Sequence, residues 1–152
     1  MTEAPPPRTL EERLRDAHAK LRDDVDLWVA TSSPASGVHL IPLSYLWDGS
    51  TILISTPRAS VTARNLLADG RVRLGLGPTR DVVVIDGVAE PVDIADLGRE
   101  VGDAFAAKTG FDPRELDEPY RYFRIRPRRV QAWREADELP GRDLMRDGRW
   151  LG

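Results

Sequence analysis

Apolar residues change their spacing several times along this 152-residue chain, and each change marks an element. Met1 to Arg8 is proline-rich and is expected to be disordered. Thr9 with Glu12 three residues later forms a capping-box pattern, and Leu10, Leu14, Ala17 and Leu21 follow at helical spacing. One amphipathic helix is predicted there, ended by the cluster of Asp23, Asp24 and Asp26. Leu27 to Thr31 reads as a short buried strand and Ser32 to Gly37 as a turn. The apolar runs His39 to Trp47 and Thr51 to Ser55 are separated by Asp48-Gly49, a hairpin signal.

Further along, Ser60 is an N-cap for a short helix to Asp69, with Val61, Leu66 and Leu67 as its apolar residues and Gly70 as its stop. Arg71 to Leu76 alternates charged or small residues with apolar ones. Val82 to Val92 is a longer strand in which Asp86-Gly87 marks a bulge or a tight bend. A second helix is predicted from about Ile94 to Lys108, and Tyr120 to Trp133 returns to strand. Six or so strands with too few helices for regular βαβ alternation predict a mainly β fold. The expected form is a closed or nearly closed antiparallel barrel with flanking helices. Gly75-Leu76-Gly77 lacks the third glycine and following helix of a dinucleotide fingerprint and reads as a strand end.

Composition narrows the classes. At 41% hydrophobic residues the chain supports one core, so residues 9–152 are expected to form a single domain. A C-terminal tail begins at about residue 138, and its Met145, Trp150 and Leu151 assign it to a subunit surface. A formal charge of −3 argues against a dedicated nucleic-acid binder. Cysteine is absent and only His18 and His39 are present, which leaves no disulfide, no thiolate chemistry and little room for a metal site. No apolar run approaches the roughly 20 residues of a membrane helix, and Met1 to Arg8 lacks the hydrophobic stretch of a secretory signal. A soluble, cytoplasmic protein with no membrane partner is expected.

The stretch from Ser55 to Leu66 carries the most chemistry: a strand end full of hydroxyls runs into a helix start. A helix start presents unpaired N–H groups and a partial positive charge. The amides of Val61 and Thr62, with Ser55, Thr56 and Ser60 hydroxyls, form a candidate anion site, with Arg58 or Arg64 as counter-charge. An ordinary N-cap flanked by solvated arginines accounts for the same spacing. Arg124, Arg126 and Arg128 alternate with Phe123 and Ile125, placing three guanidiniums on one strand face, a stripe for an anionic ligand tail, for RNA or for solvent. Pro127 within it suggests an edge or a strand start. His39 is a locally bonded strand residue or a ligand contact, and His18 a surface residue of the first helix. No serine pairs with either histidine as in a hydrolase triad. Glu100 and Asp103 read as an exposed helix face, and Trp28, Trp47, Trp133 and Trp150 as core or subunit-interface residues.

In order, the chain shows the His39 to Ser44 strand, a strand ending Ser55-Thr56, the helix start Ser60-x-Thr62-x-x-Asn65-Leu66 and the strand Arg71 to Gly77. Last comes the F-x-x-x-P-x-x-V-x-x-W pattern from Phe123 to Trp133. Over roughly residues 25 to 135 this resembles the pyridoxamine 5′-phosphate oxidase-like split barrels, which include the deazaflavin-dependent reductases. The resemblance implies an FMN or deazaflavin F420 cofactor shared by two subunits. Its phosphate would lie at Thr56, Ser60, Thr62 and Asn65, and its ring beside His39 to Ser44, including Leu43. Trp133 would come from the partner subunit. Where that family usually carries Arg and Lys on the second strand and Lys near the helix start, this chain has His39, Ser44 and Thr62. The Arg-Leu-His trio after the Trp is replaced by Leu139-Pro140-Gly141-Arg142, so true pyridoxamine phosphate oxidase activity is not expected.

The resemblance implies an oxidoreductase in which the cofactor carries the hydride to a small molecule and no side chain acts as general base. Non-catalytic cofactor binding, haem binding with His39 as axial ligand, and RNA binding through the arginine stripe are the rival readings.

Overall fold

The computed structural model describes residues 5–152. Helix α1 (Leu10–Asp23) has both halves of the capping box: Thr9 accepts from the Glu12 amide, and Glu12 accepts from the Thr9 amide. Strands β1 (Asp26–Ser33), β2 (Gly37–Trp47) and β3 (Ile52–Pro57) follow, then α2 (Val61–Ala68), β4 (Arg71–Leu76) and β5 (Val82–Val92). Two helices, α3 (Ile94–Leu97) and α4 (Arg99–Thr109), lead to the long β6 (Tyr120–Trp133) and a final hairpin, β7 (Asp143–Arg146) and β8 (Arg149–Trp150). No helix among the described residues is long and apolar enough to cross a membrane.

Six strands close on themselves in the order β3-β2-β1-β4-β5-β6, with β6 returning to β3. All pairings are antiparallel, so the split barrel expected from the sequence is the fold. Long strands achieve closure by changing partners. The first part of β6, Tyr120 to Ile125, pairs with β3, while Val130 and Gln131 near its other end pair with β7. Inward residues alternate as the strand period demands: Leu27 and Val29, Ile52 and Ile54, Leu74 and Leu76, Val83 and Ile85, Phe123 and Ile125 are all at most 2% exposed. Each such side chain contributes about 1.5–3 kcal/mol through burial. Ala17 and Leu21 of α1, and Ala63 and Leu66 of α2, complete this core. Outside the barrel, α4 lays Phe105 over Tyr122 and Leu53 as a second, smaller cluster.

Several expectations are corrected. The tail does not stay at a subunit surface: the β7–β8 hairpin buries Leu144 and Met145 in the barrel core and sets the Trp150 ring 4.5 Å from that of His18. His18 is therefore half-buried against an aromatic neighbour, not a free surface residue. Of the segment expected to be disordered, Met1 to Ala4 lie outside the described residues, whereas Arg8 is anchored. Its guanidinium donates to Glu138 at 2.7 and 3.0 Å. The predicted helix from Ile94 to Lys108 is broken at Gly98, whose φ of 85° and ψ of 148° no helical residue adopts. At the other short helix the chain turns extended at Asp69, one residue before the expected glycine stop. Of the two places expected for Trp28, the core is excluded: it is 53% exposed on the outer face of β1. Pro127 is not at a strand start but on the stretch of β6 left open between β3 and β7, an edge as expected. It lies inside β6 opposite Gly87, where the register slips by one and Arg128 becomes the extra residue. A Cβ on Gly87 would stand 2.8 Å from the Arg126 carbonyl oxygen, so the predicted bulge needs glycine on this side.

Candidate functional site

The end of β3 and the start of α2 form one connected polar corner. Extended backbone at Ser60 lets its hydroxyl turn back to accept the Ala63 amide at 3.0 Å, the N-cap geometry its sequence position predicts. Thr56 and Ser60 hydroxyls share a hydrogen bond of 3.0 Å. The Val61 and Thr62 amides open the helix and lie in the turn where no intrahelical carbonyl is within reach. Thr62 is fully buried, and its hydroxyl has no partner among the described residues. Asn65 ties the helix to the β1–β2 turn: its amide nitrogen donates to Thr31 Oγ1 at 3.1 Å and to Ser36 Oγ at 3.0 Å.

Asp26, Pro42, Leu43, Ser44, Ser55, Pro57, Phe111 and Tyr120 line a groove of about 300 Å³. Ser44 donates to the Asp26 carboxylate at 2.6 Å and Ser55 to the Arg121 carbonyl at 3.3 Å. Of the residues proposed from the sequence, Leu43, Ser44 and Ser55 meet in this groove. Thr56, Ser60, Val61, Thr62 and Asn65 belong to the helix corner. His39 is not brought to the groove. It pairs with Thr31 across β1–β2, and directly opposed residues share a face, so it looks toward the Asn65 contacts. Arg64 is exposed, and Arg58 reaches only a narrow cleft of 110 Å³ between the ends of β3, β5 and β6. Trp133 is paired with Val82, twelve residues along β6 from the Arg121–Thr56 pair, about 40 Å of extended chain. Within one chain it takes no part in the corner.

The sequence reading missed the groove residues Asp26, Pro42, Pro57, Phe111 and Tyr120, and it missed Arg121. Pro42 and Pro57 lie within the His39 to Ser44 and Ser55 to Leu66 stretches and were not singled out there, whereas proximity across the barrel, which no local pattern carries, brings in Asp26, Phe111 and Tyr120. For Arg121 a signal existed: it shares the odd parity of the inward Phe123 and Ile125. The arginine stripe is more neutral than its sequence suggests, because Glu90 is the cross-strand partner of Arg124 and approaches Arg126 at 3.8 Å.

A family model described as pyridoxamine 5′-phosphate oxidase matches residues 14–134. The chain belongs to that family. No curated protein matches the sequence. Among solved structures, a conserved hypothetical protein of Mycobacterium tuberculosis is 22% identical, with 90% of this chain and 92% of that one covered at a TM-score of 0.67. An FAD-binding protein of Mesorhizobium loti is 18% identical over 77% of this chain and 89% of that one, with a TM-score of 0.63. A structure named F420 reductase is 16% identical over 74% of this chain and 94% of that one, with a TM-score of 0.59. At these identities the likeness carries the pyridoxamine 5′-phosphate oxidase fold, and the site rests on this chain's own residues.

Proposed function

We propose that this protein binds FMN or deazaflavin F420 and works as a cytoplasmic oxidoreductase acting on a small molecule. The observation that carries the reading is the hydroxyl-lined start of α2, where Thr56, Ser60 and the buried Thr62 hydroxyl belong to the same stretch of chain as Ser55 and Pro57, two residues of the groove that Leu43 and Ser44 also line. Such a helix start suits a phosphate, and the flat faces of Pro42, Pro57, Phe111 and Tyr120 in the groove suit a planar ring. FAD-binding and F420 reductase names among proteins of the same fold support this class of cofactor.

A bound flavin or deazaflavin supplies hydride chemistry, and the protein's part is to bind, orient and exclude water. The groove's 300 Å³ is at the lower limit of ligand pockets, so one chain provides part of a site. A homodimer completes it in this reading. The outer face of β1 and β2 presents Trp28, Val38 and Leu40 at 53%, 87% and 57% exposure, an apolar surface a second copy would cover, and Trp133 would come from that copy.

Parallel titration with FMN and F420, followed by fluorescence and native mass, tests the reading. Binding of one of them at one per subunit of a dimer is expected, and replacing Leu40 by glutamate should give a monomer with weakened binding. Failure of both ligands to bind overturns it. Turnover of acceptors by the reduced, loaded protein then separates an enzyme from a binding protein.

A further inference from the structure

We infer that Arg121 is the cation that holds the phosphate of the bound cofactor, an inference that rests on the cofactor-binding reading above. A phosphate dianion at a helix start needs a full positive charge as well as hydroxyls and amides. Both lysines are engaged elsewhere, Lys20 with Asp81 at 2.8 Å and Lys108 with the Asp24 carbonyl at 2.7 Å. The charge must come from arginine. Arg58 and Arg64 flank the corner but are exposed, so water screens them.

Arg121 is placed differently. It lies on β6 one residue beyond its pairing with β5, directly opposite Thr56 of β3, and opposed residues of antiparallel strands share a face with Cβ atoms about 5 Å apart. Thr56 in turn touches the N-cap hydroxyl of Ser60. The residue is half-buried, and its Nε is shut off from solvent with no acceptor among the described residues. A buried donor of this kind is ordinarily paired. Asp93 lines the same cleft as Arg121 and Arg58, yet no ion pair forms between Asp93 and Arg121 among the described residues. Two buried groups without a partner among the described residues, Arg121 Nε and Thr62 Oγ1, thus accompany the helix start, and both are donors of the kind a phosphate oxygen accepts from.

The test compares FMN with riboflavin, which lacks the phosphate, on wild type, Arg121→Gln, Arg121→Lys and Arg64→Gln. If F420 proves to be the ligand, F420 and its phosphate-free deazaflavin core replace that pair. Loss of a charge-assisted contact should weaken FMN binding by about tenfold or more in Arg121→Gln. Riboflavin should bind as before, Arg121→Lys should recover part of the loss, and Arg64→Gln should match wild type. Unchanged FMN affinity in Arg121→Gln, or equal weakening of both ligands, overturns the inference while the cofactor reading stands. Should wild type bind neither FMN nor F420, the cofactor reading itself fails. If Arg121→Gln does not fold, the Nε–H resonance of Arg121 in wild type reports the same contact. It must shift with FMN and stay in place with riboflavin, and the absence of a shift refutes the inference.

Discussion

Replacing Glu138 by glutamine removes one charge from the contact that ties the two ends of the chain together. Glu138 is 3% exposed, and its carboxylate accepts from the Arg8 guanidinium at 2.7 and 3.0 Å and from the Arg8 and Arg134 amides at 2.8 Å each. These bonds, the one from the Arg8 side chain foremost, pull the carboxyl down from 4.5 to about 2 against the opposing effect of burial. At about 1.4 kcal/mol per pH unit the difference corresponds to roughly 3 kcal/mol of stability. Because the folded-state value is the lower one, that stability is complete above the unfolded value of 4.5 and is lost as pH falls toward 2. Glutamine keeps the shape but takes the charge from the partner that meets the Arg8 guanidinium in two bonds, leaving this 7% exposed group with Asp16 at 3.0 Å and Asp81 at 3.7 Å. Urea unfolding followed by tryptophan fluorescence should show Glu138→Gln about 2–3 kcal/mol less stable at pH 7, with less than half of that gap remaining near pH 3. A gap under about 0.5 kcal/mol at pH 7, the range of an exposed pair, or a gap that does not shrink with acid, refutes the reasoning.

Three further outcomes follow from local geometry. Ser60→Ala removes the cap of α2 and should cost about 1 kcal/mol in thermal unfolding while lowering cofactor affinity; an unchanged melting temperature contradicts the cap. Gly87→Ala drives a methyl against the Arg126 carbonyl at the bulge and should cost about 1–3 kcal/mol, measured by denaturant midpoint. Burial holds the His18 pKa below 6.5, so its NMR titration midpoint should lie under that value. Its neutral form is the folded one, so this contribution is complete above pH 6.5 and declines as pH drops through it. Trp150→Ala should move the midpoint back up, and no movement would remove Trp150 as the cause of the burial.

The helix start at Ser60 and the hairpin around Asp48-Gly49 were legible because capping and turn chemistry are local. The bulge at Gly87 was legible for the same reason. The break at Gly98 was not, since a single glycine within a helical pattern is tolerated as often as it ends one. The tail was misread because Leu144 and Met145 carry no periodic signal. Only the edge of β6, left open where β3 departs from it, shows where a short hairpin can bury them. Arg121 escaped notice because attention to Arg124, Arg126 and Arg128 followed their charge, whereas strand parity alone put Arg121 on the inward face.

By itself, then, the order of residues determined the antiparallel-barrel class, most element boundaries and the hydroxyl-rich helix start, because these rest on periodicity and on contacts within a few residues; the split form came from the family resemblance. Tertiary structure alone decided which distant residues share the groove: Asp26 and Pro42 from β1 and β2, Phe111 and Tyr120 from the far side of α4. It also decided that Trp133 stands far from Thr56. Both depend on how β6 closes against β3, a long-range pairing in which a shift of one residue would turn Arg121 outward and Tyr122 in.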